Sequence, residues 1–415
     1  MKKLAKWLGI AVAFLVVLVA VAAAYIFLAP IPHYPVVEVD FPVEVTPERV
    51  ARGKRTVEML CAGCHMDSAT GGLTGKEMLD VPAQFGEAWS RNITAHPVNG
   101  IGSWTNGEIA FLLRTGIARD GRYTPPWMVK LPNLSDEDLR DVIAFLRSDD
   151  PLVQPRDVAN HESSPSLLTK LLARVAFFPF PYPTHEIESP SLSDPVAYGR
   201  YLVDAKLQCF GCHSADFTTN DDLHPEQSAG YLEGGNPMPD LGGKIVHTAN
   251  LTPDEETGIG RWTNDEFRRA VKEGVRPDNR PLRYPMVPFR PLTDEEADAI
   301  FAYLQTVPAA RNKVIPPETY TVSGDRGRQV YYGYGCNGCH GDTGKGQYDL
   351  RQGPAKYPTD DELIAWIKHP ERVKPGIAMP TWDGVIKEED YAPLATYVRS
   401  LARGAAPQPA SRGPS

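Results

Sequence analysis

The hydrophobic positions of this chain follow two patterns. An uninterrupted apolar run covers the 21 residues from Leu8 to Leu28, which is the length of one membrane-spanning helix and longer than the core of a signal peptide. Elsewhere apolar residues recur at helical spacing, for example at Val142, Phe145 and Leu146. The patterns predict a mainly α-helical protein behind an N-terminal transmembrane helix, and they favour an uncleaved anchor over a removed signal.

Part of the chain is repeated. Residues 92–94, Asn-Ile-Thr, recur as Asn-Leu-Thr at 250–252, and the stretch Gly-Ile-Gly-x-Trp-Thr-Asn occurs at 100–106 and at 258–264, both with an offset of 158. A constant offset over this length indicates two sister units. Each is predicted to end in a helix, capped by Ser135 in the first unit and by Thr293 in the second.

All six cysteines lie in three copies of a Cys-x-x-Cys-His motif, at 61–65, 209–213 and 336–340. In this motif two thiols attach a haem covalently and the histidine binds its iron. A zinc site would need two cysteine pairs or spaced histidines, and a thioredoxin-like pair would not need the trailing histidine three times. We therefore predict three covalently bound haem c groups. The attaching cysteines are Cys61, Cys64, Cys209, Cys212, Cys336 and Cys339, and the proximal iron ligands are His65, His213 and His340.

Charge and flanking residues predict the location. The formal net charge is -9, which makes a nucleic-acid partner implausible. Lys2, Lys3 and Lys6 precede the apolar run, so the positive-inside rule keeps the N-terminus in the cytoplasm. The soluble domains then face the periplasm from a bacterial inner (cytoplasmic) membrane.

A methionine occupies a proline-flanked loop in each haem-bearing unit. Met128, Met286 and Met379 precede an aromatic residue of the closing helix by 17 or 18 positions, and we predict them as the second iron ligands. Met238 is a rival to Met286, and His247 or His369 remain substitutes.

Iron bound by both His and Met has no open position for a small molecule. We find no catalytic residues, and the sequence favours electron transfer over catalysis, so the chain is more an electron carrier, or an electron-transfer subunit of an oxidoreductase complex, than an enzyme. Two alternatives stay open: a peroxidase-like haem enzyme with one open iron site, and a structural haem subunit of a larger respiratory complex.

The three units resemble class I cytochrome c domains. In that family a glycine of the first helix lets an aromatic residue of the last helix cross closely. The matching pairs are Gly53 with Phe145, Gly199 with Tyr303, and Gly327 with Tyr397. The resemblance implies three tandem domains, at 46–150, 191–310 and 320–404, between a membrane anchor at 1–30, a linker at 151–190 and a disordered tail at 405–415.

The first two units also resemble the first two domains of the three-haem cytochrome c subunit of membrane-bound alcohol, aldehyde and gluconate dehydrogenases. The resemblance rests on the repeated stretches above, on the turns at 118–122 and 276–280, and on the methionine loops. It implies transfer of electrons from a dehydrogenase partner to quinone. The anchor and the compact third unit, with 39 residues from His340 to Met379, depart from that pattern. We therefore expect a periplasmic dehydrogenase or quinol-oxidising complex as one partner and a downstream cytochrome or oxidase as the other.

The linker contains an amphipathic segment. Leu167, Leu168, Leu171, Leu172 and Val175 form one apolar face of a predicted helix. We favour a connector packed across two haem domains; the alternative is a helix at the membrane surface, with Lys170 and Arg174 among lipid headgroups.

Overall fold

The computed structural model describes residues 2–67, 69–79, 81–124, 127–239, 245–278, 280–312, 314, 324–345, 349–373 and 379–404. The predicted disordered tail, 405–415, lies outside these residues. The same is true of Pro125 and Pro126 in the first methionine loop and of 376–378 in the third.

The described residues are mostly helical. The helices are α1 (Lys2–Leu28), α2 (Pro47–Leu60), α3 (Ala62–His65), α4 (Asn106–Thr115), α5 (Asp136–Leu146), α6 (Leu167–Val175), α7 (Pro195–Tyr201), α8 (Cys209–His213), α9 (Asn264–Arg268), α10 (Asp294–Leu304), α11 (Arg326–Gly333), α12 (Asn337–His340), α13 (Gly353–Lys356), α14 (Asp360–Lys368), α15 (Pro370–Val373) and α16 (Tyr391–Ala402). The short strands are β1 (Gly86–Glu87), β2 (Ser164–Pro165), β3 (Pro237–Pro239) and β4 (Ile245–His247), paired antiparallel as β1 with β2 and β3 with β4.

Helix α1 is the one described helix with the length and apolar composition of a membrane span. A signal sequence at the same place would share these properties. The chain that leaves α1 is fixed to the first unit: the Tyr34 amide donates to the Gly121 carbonyl at 2.7 Å, and the Tyr123 amide donates to the Pro32 carbonyl at 3.1 Å. The rings of Tyr34 and Tyr123 also meet edge to face.

The predicted glycine crossings are confirmed in all three units. A Cβ atom on Gly53 would lie 1.8 Å from the Asp141 carbonyl oxygen, and one on Gly199 would lie 1.9 Å from that of Ala299. In the third unit a Cβ atom on Gly327 would lie 2.0 Å from the Pro393 oxygen. Each pair of helices can therefore pack this closely only because the residue has no side chain. The crossings join α2 to α5, α7 to α10, and α11 to α16.

Capping side chains begin the helices of the crossings, and for α5 and α10 they are the predicted ones. Thr46 caps α2 by accepting a hydrogen bond from the Arg49 amide, and Pro47 occupies the first turn. Ser135 caps α5, and Thr293 with Glu296 forms a capping box on α10. These side chains satisfy amides that the first helical turn leaves without partners.

The first two units share one hydrophobic core, and the third has its own. Polar contacts also join the first two units: Arg55 donates to Glu296 at 2.9 Å, and the buried Lys206 ammonium lies 2.8 Å from Asp138. The Tyr201 hydroxyl donates to Asp138 as well. The two units thus form a continuous packed body.

The second unit has ten more residues than the first between its Cys-x-x-Cys-His motif and the repeated Asn-x-Thr turn. The hairpin of β3 and β4 lies in this stretch. It contains Met238, whose Cα atom pairs with that of Val246.

Candidate haem-binding sites

Each Cys-x-x-Cys-His motif folds into a single helical turn that follows the entry helix of its unit. In the first motif the amides of Cys64 and His65 both donate to the Cys61 carbonyl, at 3.1 and 2.9 Å. In the third, the amides of Cys339 and His340 donate to Cys336 in the same way, at 3.3 and 3.0 Å. This turn places both thiols on one side and presents the histidine next to them.

The imidazole of His65 is held by a backbone carbonyl. Its Nδ1 atom lies 2.7 Å from the Arg91 oxygen. Because a carbonyl only accepts, Nδ1 must carry the proton. Burial lowers the pKa of His65, so the ring is neutral and Nε2 keeps a free lone pair. This is the tautomer that binds iron through Nε2.

The second unit repeats this arrangement. The Nδ1 atom of His213 lies 2.8 Å from the Ala249 carbonyl oxygen, and burial lowers the pKa of this imidazole too. Arg91 and Ala249 are themselves related by the offset of 158. The repeat therefore includes the carbonyl that orients the histidine.

The repeated Asn-x-Thr turn holds that carbonyl in place. The Asn92 side-chain oxygen accepts from the Thr94 amide and hydroxyl at 2.9 and 2.7 Å, while its amide group donates to the carbonyls of Arg156 and Val158. Asn250 accepts from Thr252 at the same two distances. Both asparagines are buried. The sequence identified this turn only as part of the repeat and did not indicate that it fixes the carbonyl that accepts from the histidine.

The Gly-Ile-Gly stretch wraps around the same turn. The Ile101 amide donates to the Thr94 carbonyl at 2.9 Å, and a Cβ atom on Gly100 would lie 2.2 Å from that oxygen. Ile259, Gly258 and Thr252 repeat these contacts in the second unit. The glycines are needed because the two backbone segments lie too close for a side chain.

The cysteines of the motifs are half-buried, and none of them forms a disulfide. Burial, with a smaller contribution from the neighbouring Cys64, raises the pKa of the Cys61 thiol to about 12. Burial alone raises the pKa of the Cys339 thiol to about 12. Such thiols stay protonated at neutral pH, unlike those of thiolate redox pairs. Across the described part of the chain, no group of three His, Cys, Asp or Glu residues could hold a metal ion. Two thiols beside one imidazole in each motif are the donor set that fits covalently attached haem.

The three predicted methionine ligands lie in half-buried loops before the closing helices. The Met286 amide donates to the Arg283 carbonyl at 2.8 Å, and the Phe289 amide a few residues later donates to Val271 at 2.7 Å. In the first unit, the Leu131 amide after Met128 donates to Leu113 at 2.7 Å. In the first two units the loops are thus anchored by hydrogen bonds to Leu113 of α4 and to Val271.

The third methionine loop is tied to the second unit. Arg290, four residues after Met286, donates from Nε and Nη2 to the Met379 carbonyl and from Nη1 to the Thr381 hydroxyl at 3.1 Å. The loops that carry Met286 and Met379 are therefore neighbours.

The alternative ligands have other partners. The Nδ1 atom of His369 lies 3.3 Å from Glu371 and its Nε2 atom lies 3.4 Å from Asp383. His247 is exposed on β4, and Met238 belongs to the adjacent strand. Met286 and Met379 stay the predicted ligands, and Met238, His247 and His369 stay the alternatives.

Comparison with known families agrees with this geometry. Residues 50–149 match the family described as Cytochrome c, and residues 323–398 match Cytochrome C oxidase, cbb3-type, subunit III. The chain carries cytochrome c domains. Such domains imply covalently bound haem c.

Several curated relatives are named as cytochrome subunits of dehydrogenases. The chain is 29% identical over 328 residues to the fructose dehydrogenase cytochrome subunit of Gluconobacter japonicus, covering 70% of this chain and 63% of the relative. It is 27% identical over 371 residues to the alcohol dehydrogenase (quinone) cytochrome c subunit of Gluconobacter oxydans, covering 82% and 75%. It is also 27% identical over 376 residues to the gluconate 2-dehydrogenase cytochrome c subunit of Pantoea cypripedii, covering 82% of each. The chain resembles these cytochrome subunits of dehydrogenases.

Proposed function

We propose that this chain is a membrane-anchored, periplasmic electron-transfer protein with three haem c groups. The observation that carries the proposal is the repeated turn in which two thiols stand beside a histidine, with the Nδ1 of His65 and of His213 held by a carbonyl. Bound haem would supply a one-electron iron couple. The chain supplies covalent attachment, orientation of the imidazole and a shell that limits water.

We assign attachment of the first haem to Cys61 and Cys64, of the second to Cys209 and Cys212, and of the third to Cys336 and Cys339. His65, His213 and His340 bind from the proximal side, and Met128, Met286 and Met379 from the other. The carbonyl contacts of the first two histidines and the anchored methionine loops support this assignment. With both positions taken, the chain binds no small substrate at iron.

The proposed architecture is three tandem class I cytochrome c domains, at 46–150, 191–310 and 320–404. The three glycine crossings support one such domain around each motif. Helix α1 within 1–30 would be the anchor, and 151–190 the linker.

The partners are proposed from the relatives. Three proteins similar to this chain are named as cytochrome subunits of fructose, alcohol and gluconate dehydrogenases, which supports a periplasmic dehydrogenase as the electron donor; a quinol-oxidising complex would deliver electrons of the same kind. A downstream cytochrome or oxidase would accept them. The apolar α1 supports placement in the bacterial inner membrane.

Extraction of native membranes with a mild detergent tests this proposal. The chain should co-purify with a dehydrogenase whose substrate reduces all its haem, and carbon monoxide should not bind the reduced protein. Purification without any oxidoreductase, together with rapid carbon monoxide binding, would favour the haem-enzyme alternative.

A further inference from the structure

Helix α6, residues Leu167–Val175, has three distinct faces. Thr169 and Ala173 form the inner face and are buried. Lys170 and Arg174 form a basic face. Leu167, Leu168, Leu171 and Val175 form the outer face, with 47%, 39%, 37% and 61% of their surface exposed. Four apolar side chains exposed together on one helix face form a patch of the kind that contacts a membrane or another protein.

The inner face fixes α6 to the first unit. The Thr169 hydroxyl donates to the Phe85 carbonyl at 2.7 Å, and the Ser166 hydroxyl, which caps α6, donates to the Gln84 carbonyl at 2.6 Å. The paired strands β1 and β2 are next to this contact, because β1 follows Phe85 and β2 precedes Ser166 in the sequence. Helix α6 is therefore part of the surface of the first unit, and its orientation is set by that surface.

The basic face is bound to the end of α1. The Lys170 ammonium donates to the Phe27 carbonyl at 2.7 Å, and Arg174 donates to the Pro30 carbonyl. Both cations also lie over aromatic rings of α1, Lys170 over Phe27 at 5.8 Å and Arg174 over Tyr25 at 6.0 Å. Positive charge at the C-terminal end of a helix is favourable because the last carbonyls lack partners there.

This contact determines the depth of α6. The apolar run Leu8–Leu28 of α1 has 21 residues and is about 32 Å long at 1.5 Å per residue, which matches the ~30 Å hydrocarbon core of a bilayer. The lysines before this run lie at the opposite headgroup level. The last turn of α1, around Phe27, therefore emerges at the headgroup level. Helix α6, which contacts that turn, lies at the same level.

We propose that α6 lies in the interfacial region of the bilayer that α1 spans, with Leu167, Leu168, Leu171 and Val175 facing lipid. The inference rests on the proposed anchoring by α1. An apolar face with cations at its edge is the arrangement of helices that lie in a membrane interface. Continuity with α1 identifies lipid as the occupant, because a protein partner would have to displace lipid beside the span.

Two attachments hold the first unit more firmly than one. A single span allows the soluble part to rotate about its tether, whereas α1, α6 and the fixed segment 32–34 prevent this. The first unit then keeps one orientation toward the membrane.

Photo-crosslinking in the full chain tests the proposal. Benzoylphenylalanine replaces Leu168 or Leu171, and the haem-loaded protein is reconstituted into vesicles of phosphatidylcholine and phosphatidylglycerol. Replacement of Val16 in α1 is the positive control. Val98 and Val373, exposed in the first and third units, are the aqueous controls. Lipid adducts are then measured by mass spectrometry.

We expect lipid adducts at Leu168 and Leu171 at about ten times the yield found at Val98 and Val373. Adducts at Val16 with only the aqueous yield at both leucines would overturn the inference and leave the anchoring intact. Absence of adducts at Val16 as well would refute both. Crosslinks from the leucines to a second copy of the chain, instead of to lipid, would also overturn the inference.

Discussion

The Arg290 guanidinium of the second unit binds the Met379 carbonyl of the third, with Nε at 3.1 Å, across 89 positions of sequence. Because Arg290 follows Met286 in the same loop, one side chain connects the two proposed ligand loops. Such a contact keeps the two proposed haem sites in a fixed relation.

Replacement of Arg290 should therefore perturb the third haem. In Arg290→Ala the Met379 loop loses its charged donors, at a cost of about 1.5–3 kcal/mol for a hydrogen bond to a charged group. We expect the weak far-red sulfur-to-iron absorption of the oxidised protein to fall by about a third, as one of three methionine ligands dissociates. Arg261→Ala, which removes an arginine with 70% side-chain exposure, is the matched control. An unchanged band in Arg290→Ala would contradict the positioning role.

The Asn-x-Thr turns should influence the haem potentials separately. Asn92→Ala loosens the turn that holds the Arg91 carbonyl, which accepts the hydrogen bond from Nδ1 of His65. Because that hydrogen bond weakens, the imidazole becomes a poorer electron donor to iron. We expect one reduction potential to rise by roughly 30–60 mV, where 59 mV is a tenfold change for one electron. Asn250→Ala should move a different one. Potentiometric titration checks this; a uniform shift of all potentials in either variant would show general destabilisation instead.

The glycine crossings should be intolerant of a methyl group. Gly53→Ala places a Cβ atom 1.8 Å from the Asp141 oxygen, so α2 and α5 must separate, at an expected cost of about 1–3 kcal/mol. Gly333→Ala is the control: it lies on α11 with no atom within 4 Å of the new Cβ and should be neutral or stabilising by up to ~1 kcal/mol. Thermal unfolding measures both. Equal melting temperatures for the two variants would contradict the crossing.

Asp204 should make stability depend on pH. Its burial raises the pKa of the carboxyl from 3.8 to about 6, although Tyr231 and Arg200 donate to it and act in the opposite direction. Because the folded pKa lies above the unfolded one, the native state binds the proton more tightly, and stability is lost as pH rises from about 4 to about 6. A shift of about 2 units corresponds to about 3 kcal/mol.

Denaturant unfolding across this pH range tests the effect, with Asp204→Asn as the comparison. The asparagine variant should lose the decline between pH 4 and 6. The same slope in both proteins would assign the dependence to other groups.

The sequence predicted those parts of the site that depend on short-range spacing. The caps at Ser135 and Thr293 and the helix at 167–175 follow from local pattern, and the resemblance gave the glycine crossings. The carbonyls of Arg91 and Ala249, which orient the two histidines, were not predicted, because a backbone acceptor can belong to any residue type. The repeated Asn-x-Thr turn next to each carbonyl was the one sequence signal for them. The contacts of Arg290 with Met379 and of Lys170 with Phe27 were not predicted either, since they depend on how separate units pack.

The most direct test of the account is a count of haems and electrons in the purified full chain. Three motifs predict three haems per chain that resist acid–acetone extraction, and an anaerobic reductive titration that takes up three electrons. Fewer than three retained haems, or fewer than three electrons per chain, would contradict it.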